Sequence, residues 1–183
     1  MALAVACLAW SGFVTVEARR YQHDEAVALG RMLAIVPPVN RPVAPIPPLR
    51  QGELIGALSI PRIHLSAMMA EGDDDGSLRV AIGHLPDTPP PWWDHGNVAL
   101  AGHRDTFFRP LKDIVAGDEI DLVTTRGQFV YDVTGTTIVD PDDTSVLNPT
   151  EGPTLTLITC YPFDYIGHAP KRFIVRADRR ALP

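Results

Sequence analysis

Basic residues are scarce in this chain. Lysine and arginine number 16 against 22 aspartates and glutamates, a net charge of −6 near neutral pH. Binding a nucleic-acid backbone needs a concentrated basic face, so no nucleic-acid partner is expected. Cysteine is scarcer, with Cys7 and Cys160 alone. Two thiols could form at most one disulfide, not a disulfide framework. Long apolar runs are missing too. Residues 2–16, ALAVACLAWSGFVTV, are uncharged, but as a helix they reach only about 22 Å, short of the roughly 30 Å hydrocarbon core of a bilayer. No internal repeat is visible.

What is present fits one domain with short appendages: 183 residues, 45% of them hydrophobic. Residues 1–18 read as an N-terminal membrane anchor, with a cleaved signal segment and a buried helix of the domain as the alternatives. Arg19 and Arg20 follow the apolar run and nothing basic precedes it. Charge bias alone would therefore keep the C-terminal side in the cytoplasm, a conflict that an upstream segment would remove. Residues 19–51 read as a linker. Residues 17–33 have helical spacing, and prolines 37, 38, 42, 45, 47 and 48 make an extended, semi-rigid spacer.

From Gly52 to Pro183 the character changes to short β-patterned runs. They are 53–60, 62–69, 98–103, two runs within 118–139 joined at Thr125-Arg126-Gly127, 154–160 and 171–178. Gly135 suits a bulge, and 77–85 reads as a short helix or turn. Many short strands with Gly, Pro and Asp turns predict an all-β barrel or sandwich. The clusters Asp73-Asp74-Asp75 and Asp140-Asp142-Asp143 suit turns. Trp92-Trp93, after three prolines, suits a packed lid on the domain or a peptide contact.

Three residues stand at the ends of β-runs beside Gly or Pro: His103 in VALAGH, Cys160 in TLTLITC and Arg172 in APKRFIV. Singly, each has an ordinary explanation as a structural histidine, a core thiol or a rim charge. Together they supply a nucleophile, a proton carrier and a forked permanent cation, the parts that acyl transfer requires. With Cys7 and Cys160 assigned to opposite sides of a membrane boundary, Cys160 stays an unpaired thiol in an exported domain, which calls for a chemical role.

The motifs LAGHRD (100–105), TLITC (156–160) and KRFIV (171–175), within a stretch that matches in order from about Gly52 to Asp178, resemble the sortase family. AGHRDTFFRPL, VDPDD and TLITCYPF look most like class D and Gram-negative-type sortases. The resemblance implies a closed eight-stranded β-barrel with short helices, behind an N-terminal apolar helix, outside the cytoplasmic membrane. It implies a cysteine transpeptidase that cleaves an LPxTG-like C-terminal sorting signal on a protein substrate. Cys160 would carry the thioester, His103 would move the proton, Arg172 would hold the oxyanion, and an amine acceptor would resolve the intermediate to anchor a surface protein. Ala101, Thr159, Tyr161, His168 and Pro170 are the expected substrate contacts. No metal or other cofactor is implied; some sortases order a loop with calcium, so an oxygen-ligand site is the alternative to turn formation for the acidic clusters.

An ordinary cysteine titrates above an ordinary imidazolium, so few molecules hold thiolate and imidazolium together. Slow turnover and a bell-shaped pH profile are expected. The L,D-type transpeptidase pattern, with Cys and Arg nearly adjacent after a Ser-x-Gly run, is absent here. The remaining alternative is a membrane-tethered barrel that binds extended peptides without cutting them.

Overall fold

The structure, a computed structural model, describes residues 2–35 and 48–181. A single helix, α1 (Ala2–Ile35), runs across the expected boundary at residue 18 without a break. Most of the proline spacer lies outside the described residues.

Eight strands follow: β1 (Leu54–Ile60), β2 (Leu65–Glu71), β3 (Ile82–His84), β4 (Asn97–Ala101), β5 (Glu119–Thr124), β6 (Gly127–Val139), β7 (Thr154–Tyr161) and β8 (Lys171–Arg179). They close into a barrel in the order β1-β2-β3-β4-β7-β8-β6-β5, with β5 pairing back to β1. The β2–β3 and β4–β7 pairs are parallel and the other six antiparallel. Closure removes the exposed edges that an open sheet would present.

Two expectations shift. The strand read over 62–69 starts later, because Pro61–Ile63 forms a 3-10 turn and His64 takes φ 52 before β2 begins at Leu65. The stretch 77–85 holds the end of a short helix, α2 (Asp75–Val80), and then β3. Three residues are too few for an alternation signal. Pairing with β2 on one side and β4 on the other makes β3 a strand. The expected bulge is present: the β6–β8 register shifts between Val133 and Gly135.

Alternation sorts the side chains between barrel interior and exterior. Val98 and Leu100 of β4, Leu155 and Leu157 of β7, and Val175 and Ala177 of β8 all enter the core. Their neighbours Ala99, Ala101, Thr156, Ile158 and Ile174 therefore face outward. Much of this outer face is still buried, because the β6–β7 connection lies across it. Asn97 donates to Val146 O (2.9 Å) and accepts from Thr156 Oγ1 (2.6 Å), while Arg176 also donates to Val146 O (2.8 Å). Buried polar groups left without such partners would be costly, so these bonds fix the connection in place.

Helix α1 packs beside α2 and β2. Gln22 accepts from Met68 N (2.7 Å) and donates to Val80 O (2.8 Å), Glu17 pairs with Arg79 (3.2 Å), and Leu29 is buried. Its preceding turns leave Trp10 and Phe13 exposed. Among the described residues no helix is long and apolar enough to cross a membrane.

Candidate active site

Strand register brings the three sequence-selected residues together. Cys160 pairs directly with Arg172 across β7 and β8. Opposed residues share a face with Cα atoms about 4.5–5.5 Å apart, so thiol and guanidinium point outward side by side. On the other flank, Ala101 of β4 pairs in parallel with Ile158 of β7. Gly102 N donates to Ile158 O (3.2 Å), carrying the pairing one step past the strand. His103 thus comes level with Cys160, two residues beyond Ile158.

The turn after β4 holds the histidine there. His103 O accepts from Phe108 N (3.1 Å), and the buried Phe108 ring lies against Gly102. A Cβ at position 102 would meet that ring at 2.7 Å. Gly102 is therefore set by close approach. Among the described residues no carboxylate hydrogen-bonds to the His103 imidazole. The buried His–carboxylate pair is elsewhere, between His84 and Glu71 (2.6 Å), which are paired at the ends of β3 and β2.

His103, Cys160 and Arg172 line one cleft of about 390 Å³, with Arg104, Asp105, Pro141, Gly167, His168 and Ala169. The same three residues also border a second, more apolar cavity of about 420 Å³ under the β6–β7 connection. Leu85, Ala101, Val146, Leu147, Ile158 and Ile174 contribute to its walls. Cys160 is a half-buried free thiol. Arg172 Nη1 donates to Lys171 O (3.1 Å) and Ala169 O (3.4 Å), which orients the guanidinium from the loop preceding β8. A thiol, an imidazole and a fixed cation on one face can support nucleophilic acyl transfer.

The expected substrate contacts divide. Ala101 lines the apolar cavity and His168 the polar cleft. Thr159 borders the apolar cavity, but it is buried and its hydroxyl donates to Gly102 O (2.7 Å). It ties β7 to the backbone before His103. Tyr161 and Pro170 line neither space. The Tyr161 ring is 6.3 Å from Phe173, stacked, and 6.1 Å from Phe163, on the side opposite Cys160. Trp92 packs against the core under the Arg126 guanidinium and, with Trp93, lines a separate cavity around His84.

The acidic clusters work as caps and ties. Asp74 caps α2, and Asp143 caps the 3-10 turn Thr144–Leu147, where the Ser145 hydroxyl and amide hold its carboxyl below the ordinary range. Asp140 pairs with Lys171 (2.7 Å). Among the described residues no three or more metal-ligating side chains converge.

Sequence reasoning missed Arg104, Asp105, Pro141, Gly167 and Ala169. Arg104 and Asp105 directly follow His103 in the LAGHRD motif, and that adjacency was the available signal. The others come from connections whose path only the fold defines.

The sortase-domain family model matches residues 58–180. The chain belongs to the sortase family. It is similar to Sortase D of Bacillus subtilis, 41% identical over 129 residues that cover 70% of this chain and 65% of that protein. Sortase A of Bacillus anthracis is 28% identical over 71% of this chain and 61% of that relative. The chain therefore spans less than two thirds of the length of these curated relatives. Among solved structures, a sortase D5 transpeptidase of Clostridium perfringens matches with a TM-score of 0.66 and 30% identity, covering 73% of this chain and 82% of that one. The likeness to Sortase D and to the D5 structure agrees with the motif-level resemblance to class D.

Proposed function

We propose that this protein is a cysteine transpeptidase that cuts an LPxTG-like sorting signal and joins the released acyl group to an amine. One observation carries the reading: Cys160, His103 and Arg172 end on one face of three adjacent strands and share one cleft. In the proposed reaction Cys160 Sγ attacks the scissile carbonyl carbon and the sulfur–carbon bond forms. Arg172 stabilises the negative oxygen. The carbon–nitrogen bond then breaks, and His103 gives its proton to the departing amine. An incoming amine attacks the thioester, His103 takes back a proton, and the thiolate leaves.

The apolar cavity beside Cys160 suits the Leu and Pro of the sorting signal, since its walls are largely aliphatic. The polar cleft on the other side suits the acceptor amine, with Asp105 and His168 at its rim. Attachment of the domain to the outer side of the cytoplasmic membrane belongs to the same proposal. It is supported by family membership and by the uncharged residues 2–16 of α1, whose Trp10 and Phe13 are 65% and 59% exposed. Sedimentation of the full chain with membranes, and its retention there through an alkaline wash, tests the attachment; release by the wash would leave only a peripheral contact.

The decisive experiment uses a fluorogenic LPxTG-type peptide with and without an amine acceptor, on wild type and Cys160→Ala. Wild type is expected to cleave, to form the amide when amine is present, and to trap a thioester visible by mass spectrometry. Cys160→Ala is expected to do none of these. Cleavage by the variant would remove Cys160 from the mechanism, and binding without cleavage by wild type would leave a peptide-binding barrel. The wild-type rate should be bell-shaped in pH, and a profile flat from about pH 5 to about pH 10 would contradict the thiolate–imidazolium pair.

A further inference from the structure

The loop between β7 and β8, residues 162–170, forms one wall of the polar cleft through Gly167, His168 and Ala169. Little of it is anchored by packing. Phe163 joins the aromatic cluster with Tyr161 and Phe173, but residues 164–168 are all exposed, with Ile166 at 97%. Within the loop, Tyr165 N reaches Pro162 O only at 3.4 Å. The firm tie to the middle of the loop comes from outside it. Arg104 Nη2 donates to Tyr165 O (2.7 Å) and to Gly167 O (3.0 Å). Arg104 follows His103 in a turn held against the core by Phe108, so the clamp is rooted in a rigid part of the barrel. A cationic donor to two carbonyls forms stronger bonds than a neutral side chain would. The far end of the same loop meets Arg172, which donates to Ala169 O.

We propose that Arg104 is a positioning residue that clips the β7–β8 loop over the cleft and thereby directs the acyl-enzyme toward an amine rather than water. The inference rests on the transpeptidase reading above. With the clip in place, the wall carrying Gly167, His168 and Ala169 stays beside Cys160 and keeps the acceptor side narrow. Without it, that wall is free to swing out and water reaches the thioester.

The test compares wild type, Arg104→Ala and Arg104→Lys in two measurements. The first is amide hydrogen exchange over residues 163–169. It should speed up about tenfold in Arg104→Ala, as expected when two charge-assisted bonds are lost. The second is the ratio of amide product to hydrolysed product at fixed acceptor amine. It should fall severalfold in Arg104→Ala, while Tm changes little. Arg104→Lys keeps a cationic donor and should restore part of both effects. Unchanged exchange in Arg104→Ala overturns the clip. Faster exchange with an unchanged product ratio overturns its role in choosing the acceptor, as does a fall confined to thioester formation. A wild type that never forms the thioester would instead sink the transpeptidase reading and the acceptor role with it, and the exchange measurement would still decide the clip.

Discussion

The Arg172 guanidinium, proposed to hold the oxyanion, is braced by the Ala169 and Lys171 carbonyls at the start of β8. Lysine would keep the charge but lose the planar fork that both braces and points. Arg172→Lys is expected to lower kcat/KM by about 10²–10³-fold, the usual cost of one oxyanion donor, with little change in Tm. Wild-type-like kinetics in the variant would assign Arg172 to structure. The core residue Tyr131 also responds to pH. It is fully buried in the core, and its hydroxyl has no hydrogen-bond partner among the described residues. Burial pushes its pKa up to about 12. A raised folded-state pKa gives stability that is complete below the unfolded value and is lost as pH rises through the folded one. Wild type should therefore lose stability in alkali as the unfolded tyrosine ionises. Tyr131→Phe should be neutral or stabilising by about 1 kcal/mol near neutral pH and should flatten this alkaline limb, measured by urea unfolding against pH.

Short elements next to the site depend on their caps. Helix α2 starts at Asp75, and Asp74 Oδ1 accepts from Gly76 N (2.9 Å) and Ser77 N (3.3 Å), while Oδ2 accepts from Ser77 Oγ (2.6 Å) and Gln51 Nε2 (2.9 Å). The Ser77 hydroxyl bond, then the Gln51 bond, pull the Asp74 pKa down to about 2. A lowered pKa means stability that is present above the ordinary aspartate range and is lost as pH falls through about 2. Asp74→Ala should be less stable than wild type at neutral pH, and the two should converge as pH approaches about 2. Parallel curves would show that the carboxylate does not support the cap. Because Leu78 and Asp73 line the apolar cavity, the same variant should weaken peptide binding more than it slows thioester formation.

At the scale of the molecule, the barrel closes without help from α1, since all eight strand pairs lie within residues 54–179. The helix adds two hydrogen bonds through Gln22 and one buried leucine. Deleting residues 1–47 should leave a barrel that unfolds cooperatively, with Tm lowered by about 5–10 °C for the roughly 2–3 kcal/mol removed. Circular dichroism melts check this. An unfolded product would make the helix part of the folding unit, and an unchanged Tm would mean its packing contributes nothing.

Much of this architecture was legible in the chain. Alternating runs gave most of the strands, and the period of two already placed Cys160 and Ile158 on one face of their strand and Leu155 and Leu157 on the other. The same rule places Tyr161 on the opposite face from Cys160, where its ring stacks on Phe173. The motif flagged Arg104 by its adjacency to His103, but its clamp on the β7–β8 loop was not legible, because a loop arginine reads alike in sequence whether it ties two carbonyls or faces water. The buried outer face of β4 and β7 was not legible either, since Ala99 and Thr156 read as solvent positions until the β6–β7 connection covers them.

By itself, then, the sequence determined most of the strand runs, the faces of their side chains and, through its motifs, the three candidate residues His103, Cys160 and Arg172. Tertiary structure alone decided that β4 lies parallel beside β7. That pairing carries His103 across 57 residues of chain to stand level with Cys160. Strand order is set by non-local pairing and closure of the whole barrel, and no local pattern of side chains encodes it.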